Sequence, residues 1–200
     1  MRLARFVTVG IFTALIATSA SALDVASSVD PESLPEAERT KLGLYVTPQD
    51  AQRALEANPE IIFIDVRSRA EFTFVGHPPT VDSNIPYRVI SEEFEIDEER
   101  AQYAMEPNID FPKAVENLLE REGADKNAVI FLMCRSGLRS KGAADLLADS
   151  GYTRVYSVVD GFEGEIDPAT GHRSLGGWRN ADLPWTYRLT EAKAYQSPSF

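Results

Sequence analysis

The sequence has few of the side chains that build disulfide frameworks, metal centres and nucleic-acid surfaces. One cysteine and two histidines exclude an intramolecular disulfide and a zinc site of several cysteines. The 20 basic residues are outnumbered by 31 acidic ones, which gives a formal charge of −11. Because such a surface repels phosphate backbones, nucleic-acid partners are disfavoured. We therefore expect no metal, no cofactor and no nucleic-acid partner.

Long apolar runs are also scarce, and the longest mainly apolar stretch lies at the start. Within residues 1–22, Arg2 and Arg5 flank the beginning of this stretch, and Ala20-Ser21-Ala22 is typical of a signal-peptide cleavage site. The stretch is shorter than the roughly 20 residues that cross a bilayer, so a membrane anchor is the disfavoured alternative. We expect a cleaved signal peptide, localisation in the periplasm and no membrane anchor after cleavage.

The rest of the chain alternates strand patterns with helix patterns. Continuous apolar runs at 61–64 and 128–133 predict strands that are buried on both faces, and a further strand is predicted at 155–159. Helical patterns separate these runs. This alternation predicts parallel βαβ units, and hence an α/β fold. We expect a three-layer α/β/α sandwich around a small, mostly parallel sheet.

The same patterns divide the chain into segments. A polar lead-in at 23–42 precedes the domain at 43–187, and a tail follows at 188–200. An acidic insertion at 88–108 shows no clear period, and residues 160–200 are glycine-rich and loop-like. The acidic run at 92–99 is typical of a solvated face, and docking of a basic periplasmic protein is the alternative.

The single cysteine lies where a strand pattern gives way to a helix pattern. Cys134 directly follows an apolar run and is followed by the loop Arg135, Ser136, Gly137, Leu138 and Arg139. Ligands of α/β folds bind at this end of the strands, and the amides at a helix N-terminus attract anions. Because this environment favours a thiolate, we expect Cys134 to be a nucleophile. A buried, inert cysteine is the alternative.

The length of this loop distinguishes two chemistries. Arg139 follows Cys134 with the spacing Cys-x4-Arg, one residue shorter than the Cys-x5-Arg loop of cysteine phosphatases. A tighter loop suits a sulfur atom carried on cysteine better than a tetrahedral phosphate. Arg135 and Arg139 both add positive charge for an anionic substrate, and a phosphatase is the disfavoured alternative.

Several motifs, taken together, resemble those of a known family. They are Ile62-Phe63-Ile64-Asp65-Val66-Arg67, Glu71-Phe72, Gly76-His77, Asn84-Ile85-Pro86 and Cys134-Arg135-Ser136-Gly137-Leu138-Arg139-Ser140. With these segments, the chain resembles the single-domain rhodaneses of the secreted, periplasmic type, which are sulfurtransferases, over roughly residues 42–187.

The resemblance implies an activity and roles for the loop residues. Cys134 would take a sulfane sulfur from thiosulfate or a similar small anionic donor, become a persulfide, and pass the sulfur to a thiophilic acceptor. The amides of residues 135–139 would cradle the sulfur, while Arg135 and Arg139 orient the donor. A sulfur carrier that serves a dedicated periplasmic partner, with little free turnover, is the alternative.

Three further polar residues have two interpretations each. Asp65 and Arg67 either support the Cys134 loop, with Arg67 near the rim of the pocket, or form an internal ion pair that braces the fold. Bracing is the favoured interpretation. His77 is either a general base or a hydrogen-bonded structural residue, and the structural role is favoured.

Overall fold

The computed structural model describes residues 25–198, so the predicted signal peptide lies outside the described residues. The helices are α1 (Pro48–Ala57), α2 (Arg69–Phe74), α3 (Phe111–Arg121) and α4 (Leu138–Asp149). The strands are β1 (Tyr45–Val46), β2 (Ile62–Asp65), β3 (Ser83–Asn84), β4 (Arg88–Ile90), β5 (Ile96–Asp97), β6 (Gln102–Tyr103), β7 (Met105–Pro107), β8 (Ile130–Met133), β9 (Val155–Val158), β10 (Glu165–Ile166) and β11 (Arg173–Leu175).

Five of these strands form the central sheet, in the order β1-β9-β8-β2-β3, and every neighbouring pair is parallel. On one face, Ile64 and Leu132 pack with apolar residues of α3 and α4. On the other face, Phe63 and Phe131 pack with residues of α1 and α2. Burial on both faces explains why these strands are continuous apolar runs in the sequence. The predicted α/β/α sandwich is confirmed.

The helices before the site begin at residues that the sequence marks clearly. Thr47 accepts a hydrogen bond from the Asp50 amide at the start of α1, where Pro48 is the first helical residue. Ser68 and Glu71 form a capping box at the start of α2. These caps satisfy amides that have no partner inside the helix, and so they determine where each helix starts.

The insertion and the C-terminal region contain more structure than expected. Within 88–108, β4 pairs with β7 and β5 pairs with β6, all antiparallel, and in the region from 160 onwards β10 pairs with β11. Trp178 is fully buried against Phe63. The prediction of irregular structure was therefore wrong in these parts. Short hairpins need only local backbone pairing and leave no long apolar pattern.

The lead-in and the tail both pack against the domain. Two 3-10 turns, Pro31–Ser33 and Glu36–Glu38, precede β1. In the tail, the Tyr195 hydroxyl contacts the Asn108 side chain, and Tyr195 packs against the core. No helix between residues 25 and 198 has the length and apolar character that crossing a membrane requires.

Candidate active site

Cys134 lies at the carboxyl end of β8, the middle strand of the sheet, four residues before α4 begins at Leu138. The residue is 1% exposed. Its Sγ accepts a hydrogen bond from the Gly137 amide at 3.1 Å and lies 3.6 Å from the Ser140 hydroxyl. Cys134 is therefore buried, as in the inert alternative, but its sulfur has two polar neighbours.

Other amides of the loop have no acceptor. Within residues 25–198, the N–H groups of Arg135, Ser136, Leu138 and Arg139 donate to no backbone or side-chain atom. They lie at the N-terminus of α4, where the helix dipole adds positive potential. This combination is suited to binding an anion or a second sulfur atom beside Cys134.

Two glycines permit the close packing of this loop. Gly137 has a φ of 124°, which disfavours residues with a Cβ. A Cβ on Gly161, in the turn after β9, would overlap the carbonyl oxygen of Cys134. Next to it, the Phe162 amide donates to that same oxygen at 2.8 Å. The turn after β9 therefore holds the backbone of Cys134 in place.

Ser140 connects the loop to β9. Its hydroxyl donates to the Gly137 carbonyl at 2.7 Å and lies 2.9 Å from the hydroxyl of Ser157. Because Gly137 also provides the amide that contacts Cys134, the Ser140 hydroxyl stabilises the conformation that presents this amide to the sulfur.

Arg139 is paired with a carboxylate from α2. Its guanidinium donates to both oxygens of Glu71, at 2.6 and 2.5 Å, and the two side chains are 14% and 20% exposed. Burial by itself would raise the pKa of Glu71, but the hydrogen bonds and charge of Arg139, with hydrogen bonds from Ser68, lower that pKa to about 2. Arg139 therefore already has a carboxylate partner, and its role in orienting a donor stays a prediction.

Arg135 is the loop cation that keeps its charge available. Its half-buried guanidinium has no hydrogen-bond or ion-pair partner in the described part of the chain, and its Nε is buried without an acceptor. Burial lowers the pKa of Arg135, and the charges of Arg173 and Arg139 act in the same direction, whereas those of Glu71 and Glu163 raise it. A half-buried guanidinium without a direct partner among the described residues is suited to binding an anionic ligand.

Asp65 and Arg67 form a fully buried ion pair, with Oδ2 of Asp65 2.6 Å from Nη2 of Arg67. Arg67 also donates to the Gly76 carbonyl at 2.7 Å and stacks over Phe162 at 4.3 Å. Neither side chain forms a hydrogen bond with the Cys134 loop in the described residues. The pair thus connects β2 to the turn at Gly76.

His77 also has a structural environment. Its ring is buried, stacks on Phe72 with centroids 3.8 Å apart, and places Nδ1 3.2 Å from the Phe72 carbonyl oxygen. Burial lowers the pKa of His77, which favours the neutral ring.

Across residues 25–198, no group of three or more histidine, cysteine or acidic side chains is arranged to hold a metal.

Three residues near the loop were not among the predicted site residues. Ser140 closes the Cys134 motif, and Glu71 belongs to the Ser68-x-x-Glu71 capping pattern, so both had a local signal. Glu38 lies in the polar lead-in, and its carboxylate contacts Gly137. Nothing in the sequence indicates this contact, because it depends on how the lead-in packs.

A family comparison accounts for this arrangement of strand, cysteine loop and helix. The model of the rhodanese-like domain matches residues 47–164, which include β2, β8 and the Cys134 loop. This chain belongs to the rhodanese-like domain family. The matched segment also contains the hairpins of the insertion, so the rhodanese-like domain accommodates them between β3 and α3.

Individual relatives agree with the family. "Uncharacterized protein RC0915" of Rickettsia conorii is 32% identical over 133 residues, which are 66% of this chain and 89% of the relative. "Thiosulfate sulfurtransferase GlpE" of Vibrio cholerae is 35% identical over 63 residues, which cover 32% of this chain and 47% of the relative. The crystal structure of Rv0390 from M. tuberculosis has a TM-score of 0.53 and 30% identity, and covers 72% of this chain and 96% of that one.

Proposed function

We propose that this rhodanese-like protein is a sulfurtransferase that moves a sulfane sulfur from thiosulfate, or a similar donor, to a nucleophilic acceptor through a persulfide on Cys134. The observation that carries the proposal is the contact of Cys134 Sγ with the Gly137 amide, in a loop whose other amides have no acceptor among residues 25–198. The family assignment supports sulfur-transfer chemistry in general, and one relative is named a thiosulfate sulfurtransferase.

The reaction has two displacements at sulfur. The Cys134 thiolate attacks the outer sulfur of thiosulfate, the S–S bond of thiosulfate breaks, and sulfite leaves with the bonding electron pair. The acceptor then attacks the terminal sulfur of the Cys134 persulfide, and the cysteine thiolate leaves with the electron pair. No net oxidation of the protein occurs over the cycle.

The residues of the loop act mainly through charge and hydrogen bonding. The amides of residues 135–139 stabilise the negative charge of the persulfide, because they are preorganised donors at a helix N-terminus. Arg135 neutralises part of the donor's charge as it approaches. The ion pair between Arg139 and Glu71 holds α2 against the start of α4, the helix that follows the loop.

Intact mass after treatment with thiosulfate tests this proposal directly. The wild type should gain one sulfur atom, and addition of cyanide should remove it and release thiocyanate. Cys134→Ser should do neither, and wild-type protein alkylated at Cys134 is the matched control. Failure of the wild type to gain sulfur from any sulfane donor, or unchanged turnover of Cys134→Ser, would contradict the proposal.

The near-complete burial of Cys134 favours a second candidate, a sulfur carrier that releases its sulfur only to a dedicated protein. With a side chain that is 1% exposed, the sulfur is accessible to small molecules only if the loop opens. The same mass experiment separates the candidates. A persulfide that forms but survives excess cyanide favours the carrier, whereas rapid multiple turnover favours the enzyme.

We also propose that the protein acts in the periplasm. The charged start, the short apolar stretch and the Ala20-Ser21-Ala22 pattern within residues 1–22 support export. N-terminal sequencing of protein purified from the periplasmic fraction should begin at Leu23. Intact protein that keeps Met1 and remains in the cytoplasmic fraction would contradict export.

A further inference from the structure

A carboxylate from the lead-in lies against the loop that surrounds Cys134. A Cβ built on Gly137 would lie 2.8 Å from Oε2 and 3.1 Å from Cδ of Glu38. The amide of the same glycine donates to Cys134 Sγ at 3.1 Å. The Glu38 carboxylate and the Cys134 sulfur therefore both contact Gly137.

The position of Glu38 is maintained by contacts on both sides of it. Arg39 ties the two 3-10 turns together through Glu32, at 2.9 Å, and the Leu34 carbonyl, at 3.0 Å. The Lys41 amide donates to the Asp145 carboxylate on α4 at 2.7 Å. Since α4 is the helix that begins at the Cys134 loop, the lead-in is fixed to the element that also presents the site.

The Glu38 charge is not neutralised locally. Within residues 25–198 its carboxylate has no hydrogen-bond or ion-pair partner, and the charges that act on its pKa are those of Glu165 and Asp160. Burial raises the pKa of Glu38, and these two carboxylates act in the same direction. One side of the loop is therefore negative, whereas Arg135 provides the unpaired positive charge.

We propose that Glu38 determines the donor specificity of the Cys134 site, disfavouring dianions such as thiosulfate relative to hydropersulfides of amine-bearing thiols. The inference rests on the proposed sulfur transfer and concerns which donor charge the site accepts. With an amine-bearing hydropersulfide, the Cys134 thiolate attacks the outer sulfur, the S–S bond of the donor breaks, and the amine-bearing thiolate leaves with the electron pair. The Glu38 carboxylate attracts the ammonium group of this donor, whereas it repels the negative charges of thiosulfate.

The expected size of the effect follows from Coulomb's law. A carboxylate and a reagent charge roughly 6–7 Å apart, at an effective dielectric constant near that of water, change a rate by about threefold per reagent charge. The rate with a dianionic donor should therefore rise about tenfold when Glu38 is replaced by a neutral residue. The rate with a zwitterionic donor of no net charge should not change.

Alkylation of Cys134 tests the charge effect without any sulfur transfer. The rates with iodoacetate and iodoacetamide are measured by intact mass at mildly alkaline pH, for wild type, Glu38→Gln and Glu36→Gln. Glu36 is the matched control, because it is an exposed carboxylate on the same 3-10 turn. Glu38→Gln should raise the ratio of the iodoacetate rate to the iodoacetamide rate by about threefold, and Glu36→Gln should leave it unchanged. Any change in the reactivity of the Cys134 thiol itself affects both rates equally and therefore leaves their ratio unchanged.

Single-turnover persulfide formation then tests the donor preference. Glu38→Gln should form the persulfide about tenfold faster with thiosulfate, and no faster with cysteamine hydropersulfide. Glu38→Ala separates charge from bulk, since it also removes the side chain that covers Gly137. The proposal would be overturned if Glu38→Ala reacted faster with both donors to the same extent and Glu38→Gln left the ratio of the two alkylation rates unchanged. Glu38 would then act by covering Gly137 and not through its charge.

The outcomes also distinguish this inference from the proposed function. If neither the wild type nor any variant gains sulfur from either donor, the proposed sulfur transfer is wrong. The ratio of the two alkylation rates then still shows whether Glu38 disfavours anionic reagents. If the wild type gains sulfur but the ratio is the same in Glu38→Gln, sulfur transfer stands and the role of Glu38 is wrong.

Discussion

Replacing Glu71 by glutamine removes the negative charge that lies between the start of α2 and the guanidinium of Arg139. Glutamine has nearly the same shape and also serves at the third position of a capping box, so the contacts with Ser68 are largely kept. What changes is the bidentate ion pair with Arg139, in which both side chains are mostly buried. The substitution therefore measures the contribution of one charge to the stability of the loop.

The pKa of Glu71 provides the magnitude and the pH range. Its pKa is about 2 in the folded protein against an ordinary 4.5, a difference that corresponds to roughly 3 kcal/mol at neutral pH. Because the folded pKa is depressed, this stabilisation is fully present above the unfolded pKa and is lost as the pH falls towards the folded value. By about pH 3, roughly 1 kcal/mol should remain.

Urea unfolding followed by tryptophan fluorescence, at neutral pH and at about pH 3, measures both values. Glu71→Gln should lower the free energy of unfolding by roughly 3 kcal/mol at neutral pH and by much less in acid. Glu116→Gln is the control, since the exposed pair with Lys113 should contribute less than about 1 kcal/mol. An equal loss of unfolding free energy at both pH values would show that packing, and not the charge of Glu71, is responsible for the stabilisation.

Three further substitutions separate the roles of loop residues. Arg135→Ala should lower kcat/KM for thiosulfate by about tenfold or more, with little change in the urea midpoint; a large change in the midpoint would show a structural role. Ser140→Ala should lower the free energy of unfolding by about 1–2 kcal/mol and slow persulfide formation, whereas normal kinetics would mean that Gly137 is positioned without it. Gly137→Ala should destabilise more than Gly123→Ala by urea unfolding, because a φ of 124° is less accessible to alanine than the 68° of Gly123 and because Glu38 crowds the added Cβ at Gly137; equal losses would show that the loop at Gly137 adapts to a Cβ.

Much of the fold was predictable because the strands that form the sheet centre have strong local signatures. A strand buried on both faces is apolar over most of its length, as in β8 and in β2 before Asp65. The helix caps at Thr47 and Ser68 are formed by neighbours in sequence. The hairpins of the insertion were not predictable. Their strands are two or three residues long and partly exposed, so no apolar period distinguishes them.

The candidate site was predictable in its position but not in its electrostatics. Cys134 at the end of an apolar run, followed by Gly137 and a helix pattern, indicates a nucleophile at a helix N-terminus. The two arginines of the loop look equivalent in the sequence. In the structure Arg139 is paired with Glu71, whereas the Arg135 side chain has no partner in the described part of the chain. This difference depends on where α2 lies against α4.

The sequence alone predicts the parallel sheet, the position of Cys134 at the carboxyl end of a strand, and the family, because these depend on apolar periodicity and on residues adjacent along the chain. The pairing of Arg139 but not Arg135 among the described residues, the burial of Cys134 beside polar groups, and the contact of Glu38 with Gly137 depend on the tertiary structure. Charge pairing and burial depend on distances between elements far apart in the chain, and local sequence patterns contain no information about those distances.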